Sequence, residues 1–495
     1  MKKSSLTTAV LAGLVGVVGF AGSSSAVELN PDGTGQVLIY PYYTARAGQQ
    51  TLISVVNSTD TPQAVKVRFL EGYASKEVLD FNLFLSAYDV WTGTVFKLSD
   101  AGIAGDGAAV GTRDNSCTVP NFSASNSVAG MLYQPFSNQV YTENDPDLGP
   151  QGTDRTNEGY VELIDMTNIG DENGTATDIT HVDGVPPGCD DYALLNDATN
   201  PDLQITPTGG LFGNGSVINV ADGTQYAYTA DAVDGWTATP QFTESGSLAP
   251  DLSKANSPSG GAVAYVFQGG VMTTVTYPPG QEIDAVSAVF DASALMNTWV
   301  ANAAAGQGTD WVVTFPTKRY YVNDQTLTDA IPPFAEVLDS EHDGASCTQV
   351  GLNIYDREEG APTVSPTGPV FSPRPNIQTV YTSLCHEVNV ISISDPADPM
   401  SILGSQYENA EGSAGLAVNM APFGTAGWLD LDLYDYAAGN GEYHVMRGDV
   451  NGTTFLGLPA TGFAAERFIN ATATTSNYAG AFRHRVERMI SSTAP

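Results

Sequence analysis

The chain has 495 residues, 42% of them hydrophobic, with 55 Asp+Glu against 19 Lys+Arg and a net charge of −36. A surface this acidic repels phosphate backbones and anionic lipid, so nucleic acid is excluded as an expected partner. The 51 glycines and 29 prolines suit many short strands and turns better than long helices, and the length allows more than one hydrophobic core.

Residues 1–26, "MKKSSLTTAVLAGLVGVVGFAGSSSA", place Lys2 and Lys3 before a mostly apolar stretch from Leu6 to Phe20, with Ser24 and Ala26 ahead of a cut before Val27. This is the pattern of a secretory signal peptide. Gly13, Gly16 and Gly19 interrupt a span already too short to cross a membrane, and no later run reaches about 18 apolar residues. The expectation is an exported chain in the periplasm, on the cell surface or outside the cell, with no transmembrane segment after cleavage.

Residues 27–100 carry a period of two. In "AVKVRFLE", Val65, Val67 and Phe69 alternate with Lys66 and Arg68, and in "LDFNLFLS" Leu79, Phe81, Leu83 and Leu85 share one side. Such alternation predicts strands with one buried face. Turn clusters such as "NSTDTPQ" separate strands about every 10–15 residues, which predicts an immunoglobulin-like β-sandwich. Its first strand, "VLIYPYYT", holds Tyr40, Tyr42 and Tyr43 around Pro41. Proline has no amide hydrogen, so this strand belongs at a sheet edge or a bulge. Two readings of the tyrosines stand: they cover a seam between this module and the next, or they form an exposed ring platform for glycans.

Residues 101–160 are rich in Gly, Asp, Asn and Thr and read as an acidic loop insertion. Residues 161–445 read as a β-rich domain, with runs such as "GAVAYVFQ", "TDWVVTF" and "CTQVGLNIYD". One helix is predicted there, in "AVSAVFDASALMNTWVANAAA", on a stripe of Val286, Val289, Phe290, Met296 and Val300. Residues 446–495 read as a C-terminal segment with short helices. In its tail Phe482, Val486, Met489 and Ile490 fall on one helical face, flanked by Arg483, Arg485 and Arg488. That stripe suggests docking on an acidic apolar surface, either closing the last domain or linking subunits by self-association. The fold class is therefore mainly β: an N-terminal immunoglobulin-like sandwich, then a larger β-rich region with a few short helices.

Cys117, Cys189, Cys347 and Cys385 are the only cysteines. An even number in an exported chain points to disulfides, and three connectivities are possible. Neighbour pairing, Cys117–Cys189 and Cys347–Cys385, needs no crossing between the halves and is the expected one.

The segments "YPYYTARAGQQTLISVVNSTD", "LDFNLFLSAYDVWTG", "GTDWVVTFPTKRYYV" and "LPATGFAAERFINATATTSNYAGAFRHR" together resemble an uncharacterised family of exported β-rich proteins from Gram-negative bacteria. The resemblance spans most of the chain. It implies an exported location and one shared architecture, and it carries no catalytic residues.

Several short motifs invite a function. "LPATG", Leu458–Gly462, matches a sorting signal, but no apolar span with a basic tail follows it. "RGD", Arg447–Asp449, has the flanks of a strand entering a turn. Asp430, Asp432 and Asp435 in "DLDLYD", like Glu143, Asp145 and Asp147, offer clustered carboxylates to calcium, but neither stretch completes a calcium loop. No GxSxG, HExxH or P-loop occurs. A glycoside-hydrolase carboxylate pair comes from distant strands, and 55 acidic residues offer no selection. The expected function is thus an acidic structural or binding protein of the cell envelope, with no catalysis evident, no cofactor required and calcium possible. The alternative is a carbohydrate-active protein, as a glycan-binding module or a hydrolase.

Overall fold

The computed structural model describes residues 26–258, 260–302, 305–323, 326–338, 343–357, 379–394, 401–405, 415–419, 424–435, 443–469 and 477–491. The signal-peptide expectation lies, apart from Ala26, outside the described residues. Mainly antiparallel sheets build the fold, in two sandwiches. Both disulfides pair neighbours, Cys117 with Cys189 and Cys347 with Cys385.

The first sandwich is larger than residues 27–100. Its inner sheet joins strands Val37–Thr44, Gln63–Glu71 and Glu77–Leu85 to Glu158–Asn168 and Asp231–Asp234. Its outer sheet joins Gln49–Asn57 and Val90–Lys97 to Ala108–Thr112, Leu211–Asn219 and Thr224–Thr229. The 27–100 module is thus incomplete without partners from beyond residue 157. A sheet edge is a row of unpaired amides and carbonyls, and here later strands close it.

The 101–160 segment is not a loose insertion. Strands Ala108–Thr112, Cys117–Val119, Ser127–Val128 and Met131–Pro135 enter the two sheets. Gly111 is needed for packing there: a Cβ on it would come within 2.5 Å of the Met131 side chain.

The second sandwich also has two sheets. Strand Gln307–Thr314 lies at the centre of the inner one, between Val388–Ser394 and Thr461–Phe468. The outer one runs Thr379–Leu384, Thr348–Asp356, Ala426–Asp432, Ala294–Val300, Arg485–Glu487. Trp299, Trp311, Leu352, Ile391, Leu429 and Leu431 fill the space between them.

Two helical expectations are corrected. The helix predicted over 285–305 covers only Glu282–Phe290, and Ala294–Val300 pairs as a strand with Ala426–Asp432. β-branched and aromatic residues at Thr298, Trp299 and Val300 favour the pleated surface. The C-terminal helices are absent among the described residues: Thr461–Phe468, Tyr478–Arg483 and Arg485–Glu487 are strands. A helix that short is marginal alone, while a strand gains a full ladder beside Gln307–Thr314. The tail closes the fold in cis, since Arg483 pairs with the buried Asp231 of the first sandwich.

The alternation in "AVKVRFLE" holds, but its polar face is not solvated. Val65, Val67 and Phe69 join the sandwich core, while Lys66 and Arg68 are buried on the opposite face. Arg68 is held by Glu77 and Glu162, each at 2.6 Å, and Lys66 by Asp80. Arg155 likewise sits between Glu71 and Asp147, with the rings of Tyr73 and Tyr141 at 4.7 and 4.3 Å on its faces. Burying charge is costly unless it is paired, and these pairs let a second layer cover the inner sheet.

Candidate functional site

Tyr40, Tyr42 and Tyr43 are each 0% exposed, so they form no open platform. Strand Val37–Thr44 lies between two neighbours in the inner sheet and has a bulge opposite Pro41, where pairing skips from Gly159–Tyr43 to Val161–Tyr40. The flanking strand reaches only Ile39, so the missing Pro41 amide leaves no ladder bond unmade. Tyr40 donates to Ser54 O at 2.7 Å and Tyr43 to Thr156 O at 3.1 Å, both inside the first sandwich. Tyr42 alone stands at the seam: its hydroxyl donates to Glu158 at 2.8 Å and its ring meets Phe463 edge-on at 6.3 Å.

A cleft of about 500 Å³ opens beside that seam. Tyr228 stacks on Phe463 at 4.9 Å, and Thr461 and Arg483 both reach the Asp231 carboxylate. These polar groups already satisfy one another. A second, shallower hollow of about 980 Å³ crosses the solvent face of the outer N-terminal sheet, lined by Gln50, Ser54, Thr92, Asn214, Ser216 and Gln225. Its one aromatic, Phe96, is buried.

The open rings lie elsewhere. In "AGWLDLD" the inward residues Leu429 and Leu431 are buried. Period two then turns Trp428, Asp430 and Asp432 outward together. On the neighbouring strand Val350, Leu352 and Ile354 face in, so Gly351, Asn353 and Tyr355 face out. Register sets Tyr355 against Trp428, Asn353 against Asp430 and Gly351 against Asp432. The Tyr355 and Trp428 rings stack at 4.1 Å with planes 6° apart, and Trp428 remains 41% exposed. One strand further, Tyr381 lies opposite Gly351 and is 37% exposed. The Asn353 amide donates to Asp430 Oδ2 at 3.4 Å between the two aromatic ends.

The calcium candidates fall partly on this face. Asp430 is pushed up to about 6, chiefly by burial, with Asp432 and Glu487 adding to it. Asp432 is raised by burial and accepts the backbone amides of Tyr434 and Asp435 at 2.9 Å each. Asp435 thus sits in the turn after the strand, apart from the row that carries Asp430 and Asp432. Asp145 and Asp147 pair with Lys76 and Arg155. Among the described residues no three His, Cys, Asp or Glu side chains gather in metal-binding geometry. The two short motifs are held inside the fold: Leu458 and Thr461 of "LPATG" are buried, Arg447 of "RGD" pairs with Asp284 at 2.7 Å, and Asp449 accepts three backbone amides, from Thr276, Asn451 and Thr453.

Sequence periodicity alone does not single out Trp428, Tyr355 and Tyr381, which lie on three separate strands. The signal was present in "WLDLDL", where alternation puts a tryptophan on the same face as two aspartates. A face that carries aspartates is normally the solvated one.

No family model, curated protein or solved structure matches this chain.

Proposed function

We propose that this chain is an exported, non-catalytic binding protein whose ligand is carbohydrate. The observation that carries the reading is the stacked Tyr355–Trp428 pair, open on a sheet face beside Asn353 and Asp430. A sugar ring offers an apolar C–H face that packs on an aromatic ring and hydroxyls that need amide or carboxylate partners. Both kinds of partner lie here within two strands. Asp430 and Asp432 stand side by side on one strand, whereas a glycoside-hydrolase pair faces each other across the sugar, so these two are read as ligand-binding groups. The two disulfides, the leader-like N-terminus and the resemblance to exported β-rich proteins support an oxidising location outside the cytoplasm. No helix among the described residues is long and apolar enough to cross a membrane.

Native affinity gels containing soluble neutral and acidic polysaccharides test the reading. Retardation by at least one polysaccharide is expected, with its loss in Trp428→Ala. Free migration of the wild-type chain in every gel, or undiminished retardation of the variant, overturns it.

A further inference from the structure

The ring face has two aromatic ends. Tyr381 lies two strands away from Trp428 and four residues along from the Tyr355–Trp428 pair. With strands about 4.8 Å apart and about 3.4 Å per residue, the ends are separated diagonally by about 17 Å. Between them lie Asn353 and Asp430, with Gly351 beside Tyr381 and Asp432 at the far corner of the same face. Gly351 carries no side chain, so the path between the rings is low at Tyr381 and polar in the middle. A single sugar covers one end only. The two ends and the polar floor are engaged together by a linear chain of about three to four rings laid obliquely across the strands. The strands of this face also bear Asp430, Asp432 and Glu487 against Arg485, within a chain of net charge −36. Like charge at this density opposes a ligand that carries carboxylates or sulfates.

We infer that this face is a two-ended cleftless site for a linear oligosaccharide of at least three rings that carries no negative charge. The inference rests on the carbohydrate reading above and adds the length and charge class of the ligand.

Isothermal titration with sized ladders, one to six rings, decides it. The neutral ladders are cello-, xylo-, manno-, malto- and N-acetylchito-oligosaccharides, and the anionic one is oligogalacturonate. Affinity is expected to rise by about tenfold or more between two and four rings of a bound neutral ladder and to level off beyond, since each added ring contact contributes roughly that factor. Tyr381→Ala should remove that step and leave the shorter members unchanged. Tyr381 is part-exposed on an edge strand, and an unchanged melting temperature will show that the variant folds. Equal affinity for a disaccharide and a hexasaccharide, or a length step that survives Tyr381→Ala, overturns the two-ended site while the carbohydrate reading stands. Tightest binding to oligogalacturonate overturns the charge class. Absence of binding across all ladders overturns both.

Discussion

Strand Val37–Thr44 and the solvent face of the outer C-terminal sheet hold the two most conspicuous aromatic groups of the molecule, and their fates are opposite. Tyr40, Tyr42 and Tyr43 stand three in four residues and are wholly buried. Tyr355, Trp428 and Tyr381 come from three separate strands and share one open sheet face. Local aromatic density therefore does not mark a binding platform. What decides exposure is whether another layer covers the sheet face. The inner N-terminal sheet is covered on both sides, by the outer sheet on one and by the helix Glu282–Phe290 and its surroundings on the other. Among the described residues, the outer C-terminal sheet is covered on one side only.

The comparison is broken most severely by removing what allows the double covering. Glu162→Ala leaves Arg68 buried with one partner fewer, and a loss of about 3–5 kcal/mol is expected in urea denaturation. A loss below about 1 kcal/mol would mean that this face is wetter than its burial shows. The double variant Cys117→Ser, Cys189→Ser opens a loop with a sequence separation of 72, and the chain-entropy estimate is about 4 kcal/mol. Reduction with no change in midpoint would show that the bridge constrains nothing.

A third effect separates the covered layers from the open face by pH. Burial pushes Asp165 up to about 8, Glu387 up to about 7 and Asp310 up to about 6. An unfolded carboxyl titrates near 4. These groups bind protons more tightly when folded, so their contribution is complete below about pH 4 and is lost as pH rises through 6 to 8. His484, pushed down to about 4 by burial, acts in the other direction: its contribution is complete above about pH 6.5 and is lost as pH falls to 4. Glu71 and Asp154 are lowered: burial works against this, but Arg155 and backbone amides hold Glu71 down, and Arg46 holds Asp154 down. Their contribution is present above about pH 4 and is lost on further acidification. Three raised carboxylates outweigh the one histidine above about pH 4, so thermal melts should peak near about pH 4 and decline toward pH 8. A midpoint that climbs steadily to pH 8 would contradict the buried carboxylates.

Much of this was legible in the chain itself. Period two in "AVKVRFLE" and "LDFNLFLS" identifies strands and their core faces, Pro41 marks the bulge, and the neighbour disulfides follow from avoiding a crossing. The domain limits were not legible, because nothing local in residues 27–100 says that Glu158–Asn168 will pair between Val37–Thr44 and Gln63–Glu71. The tail departs from the helical expectation because 3.6-residue and two-residue periods both fit a short mixed stretch, and the choice is made by the strand already waiting at Thr461–Phe468. The ring face was hidden for a related reason. Tyr355 and Trp428 are more than 70 residues apart, and only the register between their strands brings them together.

The smallest stability effect is expected where the functional effect is largest, and that contrast tests the central claim directly. Tyr42→Ala and Trp428→Ala are to be measured side by side, each for urea stability and for affinity toward the tightest-binding neutral oligosaccharide. Tyr42→Ala should lower stability by about 3–5 kcal/mol, as for a buried large aromatic, and leave the affinity of the folded protein unchanged. Trp428→Ala should change stability by less than about 1 kcal/mol and weaken binding about tenfold or more. The reverse pattern, a stable Tyr42→Ala that no longer binds beside a Trp428→Ala that binds fully, would place the ligand at the seam and contradict the account.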